Sequence, residues 1–261
     1  MLPGARDRFA RMRQSGRVSK PPSDYTPRPM SNGTTYALGG VALALIALIV
    51  FFAFRWGAGD AEVRNDGYGS VHNTAVTAAV QSDGGVRLGL PDAPKTLEIY
   101  EDPMCPGCGS LEHLYGQEIA QKIDEGKLAV RYRFVNFLDS KSDSGDYSTR
   151  AAAALQCVGD TGSGVTYSKF HDALLNTRQP EEGSGLTDDE LAGIATESGA
   201  PQSAHDCITT GARTDQARQQ ATAAVEDLKT ALDGDAATPS VFDVATKLDT
   251  QNQEWVQQVA P

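Results

Sequence analysis

Two cysteines separated by two residues are the part of this sequence best suited to chemistry. Cys105 and Cys108 lie in the stretch EDPMCPGCGSLEHL, between a short apolar run and a helical pattern. A Cys-x-x-Cys pair can bind a metal, close a small structural disulfide or exchange electrons with other thiols. The other cysteines, the histidines and the flanking elements indicate which of these applies.

A metal site and a purely structural bridge are both poorly supported. A structural zinc site needs four ligands, usually from two such pairs or from one pair and two spaced histidines. The remaining cysteines, Cys157 and Cys207, stand alone, and the 4 histidines form no partner motif. A disulfide across two residues stabilises a fold only weakly, because it removes little entropy from the unfolded chain. We therefore expect no metal and no other cofactor.

Redox chemistry accounts for the pair better. If a strand ends near Asp102 and a helix begins near Pro106, Cys105 lies at the helix N-terminus. The unpaired N–H groups and the dipole of that helix would then favour the thiolate. Pro106 suits the first helical turn, and Gly107 lets a partner protein approach. In this interpretation Cys105 is the exposed nucleophile, and Cys108, further into the fold, resolves the mixed disulfide.

Nearby side chains determine how far the pKa of Cys105 falls. Neither Pro106 nor Gly107 can donate a side-chain hydrogen bond or carry a charge, so the helix terminus and the backbone must stabilise the thiolate. Glu101 and Asp102 are close in sequence and would oppose it. The sequence therefore predicts a moderate lowering of the pKa. Asp102 could assist proton transfer or lie in solvent, and the sequence does not choose between these roles.

The elements around the pair form a strand–helix–strand unit. KTLEIYE (95–101) has the apolar and aromatic character of a strand, and a Gly-Gly turn at 84–85 indicates a hairpin before it. Apolar residues then recur every three or four positions over 111–123, until Gly126 stops the helix. KLAVRYRFVNFL (127–138) alternates like a second strand. Short connections between these elements are typical of a βαβ unit.

A long, mainly helical stretch follows, at about residues 149–232. Within it, Thr187 and Glu190 have the spacing of a capping box. TPSVFDVATKL then predicts a strand entered through Thr238-Pro239, and NQEWVQQVA a short last helix. A proline entering a strand is unusual because the ladder loses a donor, and a cis peptide bond is a familiar reason for one.

The N-terminal part of the chain indicates a membrane anchor. Residues 1–35 carry seven basic and two acidic side chains and predict a disordered cytoplasmic tail. Residues 36–54 carry no charge and would span roughly 28 Å as a helix. The positive-inside rule places the N-terminus in the cytoplasm and, after a linker (55–74), the rest of the chain outside. A cleaved signal peptide is the alternative, but the apolar run exceeds a typical signal core.

The charge of the chain excludes one class of partner. The net charge is −11, and residues 1–35 contribute +5, so the remaining residues carry −16. An acidic body repels phosphates, so we expect no nucleic-acid binding.

The second cysteine pair, Cys157 and Cys207, brackets most of the helical stretch. Outside the cytoplasm disulfides form and persist, which favours a bridge between them. Such a bridge would close a loop of about fifty residues and contribute roughly 4 kcal/mol. Two buried free thiols, or a regulatory or electron-relay pair, are the alternatives.

The motifs together resemble a known family. YEDPMCPGCG followed by a helix, a helical insertion and TPS before a strand is similar to the DsbA-like thioredoxin-fold disulfide oxidoreductases, above all to membrane-anchored members of actinobacteria. The resemblance covers about residues 75–261. It implies an α/β, thioredoxin-like fold with a helical insertion, with Cys105 as nucleophile and Cys108 as resolving thiol. It also implies a cis peptide bond between Thr238 and Pro239 beside the sulfurs, shaping the groove for a substrate peptide.

Two positions depart from that family, and one further feature agrees with it. The best-known members have His between the cysteines, where this chain has Gly107, so a very strongly oxidising potential is not implied. Many members carry a buried acid six residues before the first cysteine, where this chain has Ile99, with Glu98 beside it. Actinobacterial members also contain a bridge that resembles one between Cys157 and Cys207.

The resemblance implies a membrane-tethered extracytoplasmic enzyme that introduces disulfides into reduced exported proteins. A quinone-linked membrane oxidase of the DsbB or vitamin K epoxide reductase-like type would reoxidise its cysteines. A disulfide reductase or isomerase fed with electrons across the membrane is the alternative within the same chemistry. A non-catalytic thioredoxin-fold binding module is the alternative from another class.

Overall fold

The structure, a computed structural model, describes residues 62–177, 183 and 185–261. The predicted tail (1–35) and membrane span (36–54) lie outside these residues, so both stay predictions. Across the part of the chain that is described, no helix combines the length and the apolar character needed to cross a bilayer.

A six-stranded sheet forms the centre of the described chain, with the strand order β1-β2-β4-β3-β5-β6. The strands are β1 (Thr77–Val80), β2 (Val86–Gly89), β3 (Thr96–Glu101), β4 (Ala129–Phe134), β5 (Ser240–Asp243) and β6 (Thr246–Lys247). β3 and β4 are parallel, and the other neighbouring pairs are antiparallel. Helix α1 (Pro106–Asp124) joins β3 to β4, because parallel neighbours need a crossover connection. The predicted strand–helix–strand unit and the hairpin before it are both present.

Strand β3 is covered on both faces. Ile99 belongs to the main apolar core, together with Ile119 of α1. Tyr100 points to the opposite face, where it packs with Phe242 of β5 and Leu228 of the helical insertion. The strand that leads into the cysteine loop is therefore held from both sides.

The helical insertion lies between β4 and β5, as predicted. Its helices are α2 (Tyr147–Gly159), α3 (Gly164–Asp172), α4 (Asp188–Glu197), α5 (Gln202–Thr209) and α6 (Thr214–Leu232), and a π-helical turn (Ala173–Thr177) extends α3. The predicted capping box begins α4: the Thr187 hydroxyl accepts from the Glu190 N–H, and the Glu190 carboxylate accepts from the Thr187 N–H.

Two elements differ from the sequence prediction. Helix α5 was not predicted, because it has only 8 residues and begins directly after Pro201 without a side-chain cap. The single strand predicted across TPSVFDVATKL is a hairpin of β5 and β6 instead. Val244 lies in the turn between them with φ of 58°, a conformation that β-branched residues rarely adopt. The short last helix is present as α7 (Trp255–Val259).

A disulfide closes the helical insertion. Cys157 on α2 and Cys207 on α5 are bonded, with their Cα atoms 5.9 Å apart and a sequence separation of 50. The bridge fastens α5 to α2, a helix whose residues Ala151 and Leu155 are fully buried.

Candidate active site

The loop between β3 and α1 places Cys105 at the start of a helix. β3 ends at Glu101, α1 begins at Pro106, and Cys105 is the N-cap residue. Its carbonyl accepts from the backbone N–H groups of Cys108 (2.9 Å) and Gly109 (3.1 Å). This is the strand–turn–helix geometry that the sequence predicted for the pair.

The surroundings of Cys105 favour its thiolate. A hydrogen bond from the Cys108 thiol lowers the pKa of Cys105 most, the Thr238 side chain and the backbone N–H groups of Gly107 and Cys108 lower it further, and partial burial opposes them. The result is a pKa of about 5. Cys105 is therefore a thiolate at neutral pH.

This lowering exceeds the moderate shift predicted from sequence. Glu101 and Asp102 were expected to oppose the thiolate with two full negative charges. His171 lies 2.7 Å from the carboxylate of Glu101 and counters its charge. Burial raises the pKa of Asp102 to about 7, against its hydrogen bonds, so near neutral pH this group carries only part of a charge.

Cys108 has the opposite acidity. Its side chain is 2% exposed. Burial raises the pKa of Cys108 well above the ordinary value, and the neighbouring charges of Cys105 and Glu101 raise it further. One sulfur of the pair is thus a partly exposed thiolate, and the other is a buried thiol.

Thr238 and Pro239 lie directly against the cysteine pair. Their peptide bond is cis. The Thr238 carbonyl oxygen is 3.5 Å from the sulfur of Cys105. A Cβ atom on Gly107 would lie 3.1 Å from Cδ of Pro239, so glycine permits this close approach. The sheet produces the contact, because β5 begins at Ser240, opposite Tyr100 near the end of β3.

Asp102 is an organising residue of the loop and does not lie in solvent. It is fully buried. One carboxylate oxygen accepts from the Met104 N–H (2.9 Å) and the Ser148 hydroxyl (2.5 Å), and the other accepts from the Leu138 N–H (3.1 Å). The solvated role considered from sequence is therefore wrong, and a role in proton transfer stays a prediction.

A buried histidine beside the site was not found from sequence. His171 of α3 lies between Glu101 and Glu112, with its ring nitrogens 2.7 Å and 3.6 Å from their carboxylates. Burial alone would lower the pKa of His171, but the two carboxylates raise it well above its usual value. Glu112 follows Cys108 by four residues on α1, a spacing that could have been noticed. No local pattern marks His171.

No metal-binding cluster accompanies these groups. Within the described residues, no set of three His, Cys, Asp or Glu side chains is arranged to hold a metal ion.

Comparisons with known proteins agree with this geometry. The family model described as thioredoxin matches residues 81–259. The MdbA protein, a thiol-disulfide oxidoreductase from Corynebacterium diphtheriae, has a TM-score of 0.65 and 26% identity, and the match covers 72% of this chain and 95% of that one. Oxidised DsbA from Mycobacterium tuberculosis has a TM-score of 0.52 and 27% identity, over 71% of this chain and 97% of that one.

One relative of this chain is named as a protein kinase. Serine/threonine-protein kinase PknE of Mycobacterium tuberculosis is 40% identical over 185 residues, which is 70% of this chain and 32% of the kinase. The chain thus spans about a third of the length of that relative, and its name describes the whole kinase. The family match covers more than half of this chain, and the site has the arrangement described above. The chain therefore belongs to the thioredoxin family, in the form taken by DsbA-like thiol–disulfide oxidoreductases.

Proposed function

We propose that this protein is a membrane-tethered thiol–disulfide oxidoreductase that introduces disulfides into exported proteins. The opposite acidities of its two active-site thiols carry the proposal. Cys105 has a pKa of about 5, whereas the pKa of Cys108 is raised. An enzyme of this kind needs one sulfur that reacts with substrates and leaves easily, and a second that is shielded from them.

The forward reaction begins with the Cys105–Cys108 disulfide. A substrate thiolate attacks the sulfur of Cys105, the S–S bond breaks, and its electron pair goes to the sulfur of Cys108, which takes up a proton. A second substrate thiolate then attacks the substrate sulfur of the mixed disulfide. Cys105 leaves as a thiolate, so the substrate is oxidised by two electrons and the cysteine pair is reduced.

The low pKa of Cys105 favours this direction. A stable thiolate stabilises the reduced form of the pair, which makes its disulfide a stronger oxidant. The similarity to MdbA from Corynebacterium diphtheriae, a thiol-disulfide oxidoreductase, supports the same chemistry. A reductase or isomerase would use the same residues in the other direction or in both.

The cellular setting is part of the proposal. Residues 36–54 would tether the protein to the cell membrane, with residues 75–261 outside the cytoplasm. A quinone-linked membrane oxidase of the DsbB or vitamin K epoxide reductase-like type would accept electrons from the reduced pair. The disulfide between Cys157 and Cys207 supports an oxidising compartment, where such bonds persist.

The reduction potential of the Cys105–Cys108 pair tests the proposal. The full chain in detergent would be equilibrated in glutathione buffers at pH 7, and each cysteine pair would be followed by thiol labelling and mass spectrometry. A potential between about −120 and −180 mV is expected for an oxidant or isomerase, and a value near −270 mV or lower would contradict the oxidase function. A Cys105→Ser variant should lose thiol exchange. If the protein were a pure binding module, the same substitution would leave its binding unaffected.

A further inference from the structure

A line of buried polar side chains runs from the cysteine pair towards the surface. Glu101 ends β3, His171 lies on α3, and Glu112 lies on α1. Nε2 of His171 is 2.7 Å from Glu101 Oε1, and Nδ1 is 3.6 Å from Glu112 Oε1. Glu101 is 3% exposed and His171 is 1% exposed, so both are shielded from bulk water.

The outer end of this line is a pocket. Glu112, whose side chain is 14% exposed, lines a cavity of about 300 Å³ together with Ser168 and Asp172. Hydroxyl and carboxylate groups on its wall suit water molecules, which need polar partners. Glu112 therefore connects His171 to a region that water can enter.

The inner end of the line is Cys108. Cys108 and Glu112 are four residues apart on α1, so they lie on the same face of the helix. Glu101 is the last residue of β3, directly before the cysteine loop, and Cys108 lies in the first turn of α1. The charge of Glu101 contributes to the raised pKa of the Cys108 thiol.

The proposed reaction requires a proton at this place. When the Cys105–Cys108 bond breaks, the sulfur of Cys108 leaves with the electron pair and must be protonated. Cys108 is 2% exposed, so solvent has little direct access to it. The forward reaction uses Cys105 and Cys108, but it leaves the source of this proton unassigned.

We propose that Glu112, His171 and Glu101 form a proton relay between the pocket and Cys108. The relay rests on the oxidoreductase function proposed above. As Cys108 leaves, a proton moves from His171 through Glu101 to the sulfur of Cys108. His171 then regains a proton, through Glu112, from water in the pocket. Reoxidation of the cysteine pair returns the proton by the same route. Glu101 exchanges the proton with Cys108 directly, whereas His171 and Glu112 act through Glu101.

The charges around His171 suit a proton donor. The titratable groups near it come from four elements: Glu101 on β3, Glu112 on α1, Tyr132 on β4, and Tyr167 and Asp172 on α3 itself. Of these, Glu101 and Glu112 favour the imidazolium most. The pKa values of both His171 and Glu101 are raised, so the pair holds a proton that it can release when Cys108 becomes the stronger base.

Substitutions in the full chain would test the relay. Glu112→Gln removes the carboxylate that the relay presents at the pocket wall. His171→Gln removes the imidazole at the centre of the relay. Glu118→Gln is the matched control, because Glu118 is a buried glutamate of the same helix that pairs with Arg64. The oxidation rate of a dithiol peptide would be measured from pH 5 to pH 9, relative to the wild type at each pH, so that titration of the peptide cancels.

We expect His171→Gln to slow oxidation about tenfold at pH 7, a modest share of what acid–base groups contribute. For Glu112→Gln the relative rate should fall as the pH rises, because His171 loses its proton earlier without that carboxylate. Glu118→Gln should match the wild type throughout. A relative rate of Glu112→Gln that is independent of pH, or equal to that of the control, would overturn the relay but leave the oxidoreductase function standing.

A measurement on the unsubstituted protein covers the case in which a variant does not fold. The imidazole of His171 would be titrated by NMR in the oxidised and the reduced protein. A higher pKa of His171 in the reduced protein is expected, because the Cys105 thiolate adds negative charge nearby. Equal values would show that His171 does not sense the cysteines, and the relay would be wrong. Absence of any Cys105-dependent exchange in the wild type would instead refute the underlying function.

Discussion

Cys105 and Cys108 are the same residue type three positions apart, and their surroundings give them different chemistry. Cys105 caps α1, where backbone N–H groups and the Cys108 thiol stabilise its charge. Cys108 lies within the first turn, where burial raises its pKa. Because the thiolate is the nucleophile, the position of each sulfur on the helix decides which one we expect to react with a substrate.

Alkylation of the reduced protein would test this difference. We expect the rate at which iodoacetamide modifies Cys105 to rise with pH around a midpoint of about 5, because only the thiolate reacts. Cys108 should stay unmodified at neutral pH. In urea both cysteines should react with a midpoint near about 8.5, the value of an unperturbed thiol. A midpoint near that value in the folded protein would contradict the thiolate at the helix terminus.

At the scale of single residues, the sequence identifies the groups that form a motif and misses those that meet through the fold. The Cys-x-x-Cys pair and Thr238-Pro239 are recognisable because each combines rare residue types with a defined place among the elements. The contact between His171 and Glu101 joins residues 70 apart in sequence. Nothing local to His171 predicts that partner, because α3 reaches β3 only through the packing of the insertion.

The loop between β3 and α1 depends on a helix from the insertion. Asp102 holds the loop, and Ser148 of α2 donates a hydrogen bond of 2.5 Å to its carboxylate. The insertion therefore supports the cysteine loop and also covers the sheet.

Ser148→Ala tests this support. We expect it to lower the free energy of unfolding by about 1–3 kcal/mol, because a buried acceptor loses its donor. The loss should be larger at pH 8 than at pH 5, since the pKa of Asp102 is about 7 and the charged carboxylate is the stronger acceptor. Urea unfolding at both pH values measures it. Ser168→Ala, which removes a buried acceptor of the Val71 N–H, is the control and should show no such pH dependence.

At the scale of elements, the sequence predicts what periodicity and caps encode. The strand–helix–strand unit, the first hairpin and the capping box of α4 all follow from local patterns. The turn at Val244 does not, because its residue type argues against the positive φ that it adopts. Pairing of β6 with β5 stabilises that turn, so tertiary structure overrides the local preference.

On the scale of the whole molecule, the insertion is tied together by the disulfide between Cys157 and Cys207. We expect replacement of both cysteines by Ala to lower the free energy of unfolding by about 4 kcal/mol, because a loop of 50 residues is released in the unfolded chain. Peptide oxidation by Cys105 and Cys108 should persist. A folded double variant that has lost this oxidation would show that the second pair relays electrons.

The helical insertion and its place between β4 and β5 were predictable from sequence, because the elements follow one another in a simple order. The succession of elements along the chain does not determine which strands are neighbours in the sheet. That arrangement is implied only by the family resemblance. The approach of α3 to the cysteine loop was not predictable. It depends on how several helices share one core, and that core includes Tyr167, Phe170 and Leu174, which are fully buried.

The acidity of Cys105 should also appear in the stability of the whole protein. Its pKa is lower in the folded protein, about 5, than the ordinary thiol value of about 8.5. Ionisation of Cys105 therefore stabilises the reduced fold fully above that ordinary value, and this stability is lost as the pH falls towards 5.

The oxidised protein has no such titration of Cys105. Asp102 titrates in both forms, so its contribution largely cancels when the two forms are compared. From pH 8 to pH 5 the reduced protein should lose stability relative to the oxidised protein, by up to about 1.4 kcal/mol per pH unit. Urea unfolding of both forms, with the Cys157–Cys207 bond kept intact and checked by mass spectrometry, measures the difference. A difference that does not change with pH would mean that the fold does not stabilise the Cys105 thiolate.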